Sequence, residues 1–146
     1  MKIRGYKVYC DGSVYPKNPG RGGWAAIIEH DGDRRFISGQ SALQETNNRM
    51  EITSLIKAVE GLPGGSKVSF YSDSQYLVDG VNERLSRWKA WGWKTSLNSP
   101  VKNIDLWKIV DSLTQKYAMR GYWLRGHSGH PENEACDALA YAEASK

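Results

Sequence analysis

The sequence contains no long apolar run. None of its stretches approaches the roughly 20 residues that a membrane-spanning helix needs, and Met1-Lys2-Ile3-Arg4-Gly5-Tyr6 lacks the apolar segment of a signal peptide. Cysteine is scarce: Cys10 and Cys136 stand far apart with no paired spacing, which favours two small buried apolar groups over a disulfide. These absences predict a cytoplasmic protein in a reducing compartment. Repeats, linkers and low-complexity stretches are missing too. With 146 residues, 40% of them hydrophobic and 25% charged, the chain is expected to form one domain, residues 1–146, around one core, and neither a disordered nor a fibrous class fits. A nucleotide-binding phosphate loop is absent as well, because Pro63-Gly64-Gly65-Ser66-Lys67 lacks the ordered Gly-Lys-Ser or Gly-Lys-Thr ending.

What the chain does have is positive charge and large rings. A formal charge of +4 suits an anionic partner, although many proteins of that charge bind no nucleic acid. Six Trp and eight Tyr say more. Rings interleaved with Lys and Arg suit nucleic-acid backbones and bases, against the plainer reading that rings fill the core. Between residues 84 and 94, Arg84, Arg87, Lys89 and Lys94 alternate with Trp88, Trp91 and Trp93. This pattern reads as a basic protrusion gripping a duplex, with a contribution that weakens in salt.

Along the chain, Tyr6 to Asp11, Trp24 to Glu29 and Arg34 to Gly39 alternate like strands, and Asp31-Gly32 is a hairpin signal between the second and third. The three form an antiparallel meander. From Thr46, a plausible N-cap, Ile52, Leu55, Ile56, Val59 and Leu62 recur at helical spacing until Pro63-Gly64-Gly65. Lys67 to Asp73 returns as a strand, so a strand-helix-strand unit with parallel pairing follows. A helix is expected from Ser74 to about Lys89, another after Pro100, a last strand over Arg120 to Leu124, and a final helix from Pro131. The class is α/β with a mixed sheet.

Four carboxylates invite a chemical reading. Asp11 and Asp73 each end an apolar or aromatic strand, where ligand sites of open α/β sheets gather, though both positions also suit a turn or a helix cap. Glu51 borders the apolar face of the first helix, and Asp137 sits inside the last helix among small and apolar neighbours, a place where Asp has poor propensity. Burying like charges together is costly unless a cation neutralises them, and oxygen ligands favour Mg²⁺ or Mn²⁺ over zinc. Two such ions can activate a water and stabilise a leaving oxygen in phosphodiester hydrolysis. A zinc set of His127, His130 and Cys136 is less apt, because no fourth ligand stands at finger-like spacing. Ser13 and Ser74 lack a His at a recognisable activating motif, so turn and cap roles suit them better than nucleophilic ones.

These residues lie within ordered motifs. They are Asp11-Gly12-Ser13 with Asn18-Pro19-Gly20 and Gly22-Gly23, Thr46-Asn47-Asn48-Arg49-Met50-Glu51, Ser72-Asp73-Ser74-Gln75-Tyr76, and Gly126-His127-Ser128-Gly129-His130-Pro131-Glu132-Asn133-Glu134 before Cys136-Asp137. With Gly92-Trp93-Lys94-Thr95 and Val101 to Trp107, they resemble bacterial type 1 ribonuclease H over nearly the whole chain. The resemblance implies a five-stranded mixed sheet flanked by helices. It further implies hydrolysis of the RNA strand of RNA–DNA hybrids, leaving 5′-phosphate and 3′-hydroxyl ends, with two Mg²⁺ ions or Mn²⁺, and the protein is expected to act as a monomer. It assigns Asp11, Glu51, Asp73 and Asp137 to the metal, and His127 to proton transfer or product release. Asn18, Asn47 and Gln75 are implied to read RNA 2′-hydroxyls, Thr46 and Asn103 to hold a DNA phosphate, and Trp88 to follow the DNA sugar-phosphate track.

Three positions depart from the family pattern. Arg84 stands where relatives often carry an aromatic, Ala90-Trp91 replaces part of a more cationic run, and the segment before Asn18 is one residue longer. A separate N-terminal hybrid-binding domain is not expected. Two alternatives stay open from sequence: a noncatalytic hybrid-binding module, and a DNA-cutting nuclease of the same fold.

Overall fold

The computed structural model describes residues 5–126 and 129–146. Five strands form one sheet in the order β3-β2-β1-β4-β5. Strands β1 (Gly5–Tyr15), β2 (Gly20–His30) and β3 (Asp33–Glu45) make the antiparallel meander. β4 (Lys67–Ser72) and β5 (Ala118–Trp123) extend it in parallel from β1. The meander strands run longer than the alternation of side chains indicates. The Gly-rich segment expected to be all turn instead joins the ladder at Gly20, with pairs as far as Tyr15 to Arg21. At the other end, Asp31 (φ 50°) and Gly32 (φ 83°) form the two-residue turn with both residues left-handed, as an Asp-Gly hairpin requires.

Helix α1 (Asn47–Val59) begins where Thr46 Oγ1 accepts from the Arg49 N–H at 3.2 Å. It packs Ile52, Leu55 and Val59 into one core with Val8, Val68 and Phe70 of the sheet. The stretch expected as one helix after Ser74 is instead α2 (Gln75–Asp79), a π turn over Gly80–Arg84, and α3 (Leu85–Ala90). Trp107 of α4 (Ile104–Lys116) presses its ring against Gly80, where any Cβ would overlap it. From the π turn, the Asn82 side chain donates to Gly121 O at 2.9 Å and accepts from Gly121 N at 2.8 Å. It thereby satisfies backbone groups on the open edge of β5.

Helices α1 and α4 cover one face of the sheet, with Trp107 fully buried among them. Each such large apolar side chain contributes roughly 1.5–3 kcal/mol by leaving water. Helix α5 (Pro131–Ala144) covers the other face over β1 and β2, packing Cys136 and Ala140 on Ala25 and Ile27. Both cysteines are free and buried, and Cys136 Sγ lies 3.4 Å from Tyr9 O. Among the described residues no helix is long and apolar enough to cross a membrane.

Candidate active site

Asp11 does not end its strand. β1 continues to Tyr15, and what ends beside Asp11 is the parallel pairing with β4, whose last partners are Tyr9 and Tyr71. The ladder splits there, leaving Asp11 on β1 beside Asp73, which follows the last residue of β4. Glu51 comes down onto the pair from α1. That approach depends on Gly12, because a Cβ at this position would overlap the backbone of Met50 and Glu51. Carboxylate oxygens of Asp11, Glu51 and Asp73 all lie within 4.8 Å of one another.

Asp11 is 2% exposed and Glu51 8%. Asp11 Oδ1 accepts from the Gly12 N–H at 2.9 Å, whereas Asp11 Oδ2 and Glu51 Oε2 are buried with no hydrogen-bond partner among the described residues. Burial, then the Asp73 charge, pushes the Asp11 carboxyl up to about 8. Glu51 is held well above the ordinary carboxylate range, first by burial and then by Asp11. Such atoms can be satisfied by a shared proton or by a cation, and three hard oxygen donors at this spacing fit a divalent ion. Asp137, half-buried on α5, lies outside this triangle, yet its charge raises Asp11 further. His127 lies outside the described residues. Gly126, just before it in the chain, packs against the Asp73 carboxylate.

Around this centre the other candidate residues take distinct positions. Asn47 opens α1 and is exposed; its backbone N–H donates to Asn18 Oδ1 at 3.3 Å, joining the β1–β2 turn to the helix start. Gln75 is exposed in the first turn of α2, behind Ser74, whose Oγ caps that helix by accepting from Leu77 N at 3.1 Å. Trp88 is only half a surface residue, since its ring meets the buried Trp107 ring edge-on at 5.3 Å between centroids. Trp91 next to it is 50% exposed. Asn103 precedes α4 in a left-handed backbone conformation, φ 58°.

The RNase H family model matches residues 4–145. The chain belongs to the ribonuclease H family. It is 47% identical, over 99% of its own length and 92% of the relative's, to the ribonuclease H of Nitratidesulfovibrio vulgaris strain Miyazaki F. Among solved structures it resembles LC9-RNase H1, described as a type 1 RNase H with the type 2 active-site motif. The TM-score is 0.85 at 29% identity, covering 99% of this chain and 74% of that one. LC11-RNase H1, solved in complex with an RNA/DNA hybrid, shares the fold with a TM-score of 0.68 at 17% identity, covering 96% of each chain.

The structure of this ribonuclease H adds residues that sequence reasoning passed over. Arg49, read only as a motif letter, reaches from α1 to α4. Its Nη1 and Nη2 donate to Asp105 Oδ1 and Oδ2 at 2.9 and 2.8 Å, its Nε to Glu45 Oε1 at 3.2 Å, and its Nη1 also to Asn103 Oδ1 at 3.3 Å. The bidentate Arg49 contact holds Asp105 below the usual carboxylate range. Tyr76 is the second, its hydroxyl lying between Asn103 Nδ2 at 3.2 Å and Trp107 Nε1 at 2.9 Å. Gly12 is the third. Its place beside Asp11 was the available signal, but the residue that presses against it is 39 positions away.

Proposed function

We propose that this ribonuclease H hydrolyses the RNA strand of RNA–DNA hybrids at the centre formed by Asp11, Glu51 and Asp73, with Asp137 completing the ligand set. The observation that carries this reading is the pair of buried, unmet oxygens, Asp11 Oδ2 and Glu51 Oε2, inside an all-carboxylate triangle. Mg²⁺, as two ions or with Mn²⁺ in its place, would supply Lewis acidity toward the phosphodiester and a water acidic enough to attack it. The protein's own part is to keep those oxygens dry, ionisable and close together.

Substrate choice falls to neutral side chains. The Asn18 amide, whose oxygen faces Asn47, offers its N–H groups, and the exposed Asn47 and Gln75 amides both donate and accept, which suits RNA 2′-hydroxyls. Thr46 and Asn103 hold a phosphate of the DNA strand, and the free side of Trp88 lies along its sugars. His127 serves proton transfer or product release. The ends left are 5′-phosphate and 3′-hydroxyl. Free, buried Cys10 and Cys136 suit a reducing cytoplasm, and we take residues 1–146 as one catalytic domain acting as a monomer.

With Mg²⁺ and end-labelled duplexes, the protein is expected to cut the RNA of a hybrid, leave duplex DNA intact and yield fragments that a 5′-phosphate-dependent exonuclease degrades. Comparable cutting of duplex DNA would replace this reading with that of a DNA nuclease. Binding of the hybrid without cutting would make the chain a recognition module.

A further inference from the structure

Near a nucleic-acid surface an arginine is the expected phosphate receptor, but Arg49 has few donors left to give. Glu45, Asp105 and Asn103 take its Nε, Nη1 and Nη2. Glu45 is fixed in turn by Ser41 Oγ, which donates to Glu45 Oε2 at 2.8 Å. Two carboxylates around one guanidinium leave the cluster without surplus positive charge. Beyond the one N–H left on Arg49 Nη2, an anion held here must be met by neutral donors.

Two such donors are aimed by this cluster. Thr46 Oγ1 accepts from the Arg49 N–H, so its own hydroxyl hydrogen is uncommitted among the described residues. In Asn103 the orientation of the amide is decided by chemistry. A guanidinium can only donate, so the atom facing Arg49 is Oδ1, and Nδ2 then faces the Tyr76 hydroxyl. That hydroxyl also accepts from the buried Trp107 indole and is anchored in the core. One N–H of Nδ2 goes to Tyr76, and the second is left to donate.

We infer that Tyr76 is a positioning residue for substrate binding, locking the Asn103 amide, together with Arg49, so that one N–H is always presented to a phosphate of the DNA strand. The inference rests on the reading of Asn103 as a phosphate contact given above. Without the Tyr76 hydroxyl the amide keeps its bond to Arg49 but loses the partner that fixes Nδ2. Asn103 then has to be ordered by the substrate when it binds, which weakens binding without touching the carboxylate centre.

The test uses hybrids in which one DNA phosphate at a time is replaced by a neutral methylphosphonate, with kcat and KM measured for the wild type, Tyr76→Phe and Asn103→Gly. The glycine keeps the left-handed backbone available at 103. For Tyr76→Phe, KM is expected to rise roughly threefold to tenfold, the range of one hydrogen bond, with kcat changed less than twofold. At the methylphosphonate position that hurts the wild type most, the penalty should shrink by a similar factor in Tyr76→Phe and further in Asn103→Gly, where the Thr46 hydroxyl alone is left to meet the phosphate. An unchanged KM in Tyr76→Phe, or a raised KM with the full penalty retained while Asn103→Gly lowers it, overturns the role of Tyr76 and leaves Asn103 in place. A full penalty at every position in Asn103→Gly overturns the phosphate reading itself. Should Tyr76→Phe not fold, Arg49→Lys, which cannot hold Asp105 in two places and still reach Asn103, is expected to give the same reduced penalty, and a full penalty there counts against the inference.

Discussion

Arg49 and Glu51 lie two residues apart on α1, and the fold treats their charges in opposite ways. Arg49 is surrounded by acceptors that use its Nε, Nη1 and Nη2. Glu51 is buried beside two more carboxylates, with Oε2 unmet. A charged group with four of its five N–H donors bonded within the protein is scaffold, because it has little left to offer a further partner. A buried group with bonds unmade costs stability, and the cost is removed when something arrives to complete it. The difference separates the part of this ribonuclease H that could hold a cation from the part that shapes the ground beside it.

The largest effect comes from removing a member of the unmet set. Asp11→Asn should lower hybrid cleavage by well over a hundredfold, since loss of even an outer-shell metal partner costs about 10–100-fold. The same change should alter stability in the opposite sense. With its carboxyl raised to about 8 in the folded state, Asp11 favours folding most below its unfolded pKa of about 4. That contribution is lost as pH rises toward 8. In chelator, therefore, the melting temperature of the wild type should fall between pH 4 and 8 more steeply than that of Asp11→Asn, and Mg²⁺ should flatten the wild-type slope. Parallel slopes for the two proteins would show that Asp11 is not the strained group.

How much of this was readable beforehand depended on the distance over which each feature is decided. Thr46 as an N-cap, the Asp31-Gly32 hairpin and the start of α5 at Pro131 are settled within a few residues, and the structure has them where local chemistry put them. Asp11 was misplaced at a strand end because Gly12-Ser13 reads as a turn. Only the pairing of residues 12–15 with 21–24 shows that β1 goes on. Glu51 stood out as a carboxylate bordering an apolar face, but Asp11 and Asp73 needed family motifs to be told from turn and cap residues. The Arg49 cluster was invisible, since it joins positions 54 and 56 residues apart through side chains that would look ordinary on any surface. The π turn was equally hidden, because Gly80 reads as a weak helix residue until the Trp107 ring is found against it.

A middle-sized effect should follow from moving the unmet group instead of deleting it. Gly12→Ala places a methyl group against the Met50–Glu51 backbone and must push α1 away from β1. Overpacking of this kind costs about 1–3 kcal/mol, and a displacement of about 1 Å at a reacting centre can cost about a hundredfold in rate. Cleavage is expected to fall tenfold to a hundredfold on that argument, with a weaker stabilisation by Mg²⁺ in thermal melts. Wild-type activity in Gly12→Ala would mean that the position of Glu51 is not held by this contact.

The smallest effect belongs to the satisfied side of the comparison, where Thr46 both caps α1 and keeps a hydroxyl hydrogen in reserve. Thr46→Val preserves shape and removes both functions, whereas Thr46→Ser keeps both. Loss of the cap should cost about 1 kcal/mol in denaturant unfolding, and loss of the reserved donor should raise KM for the hybrid by roughly twofold to tenfold, with the serine variant near wild type in each. The two measurements separate the roles. A stability loss with KM unchanged would leave Thr46 as a cap alone and move the phosphate entirely onto Asn103.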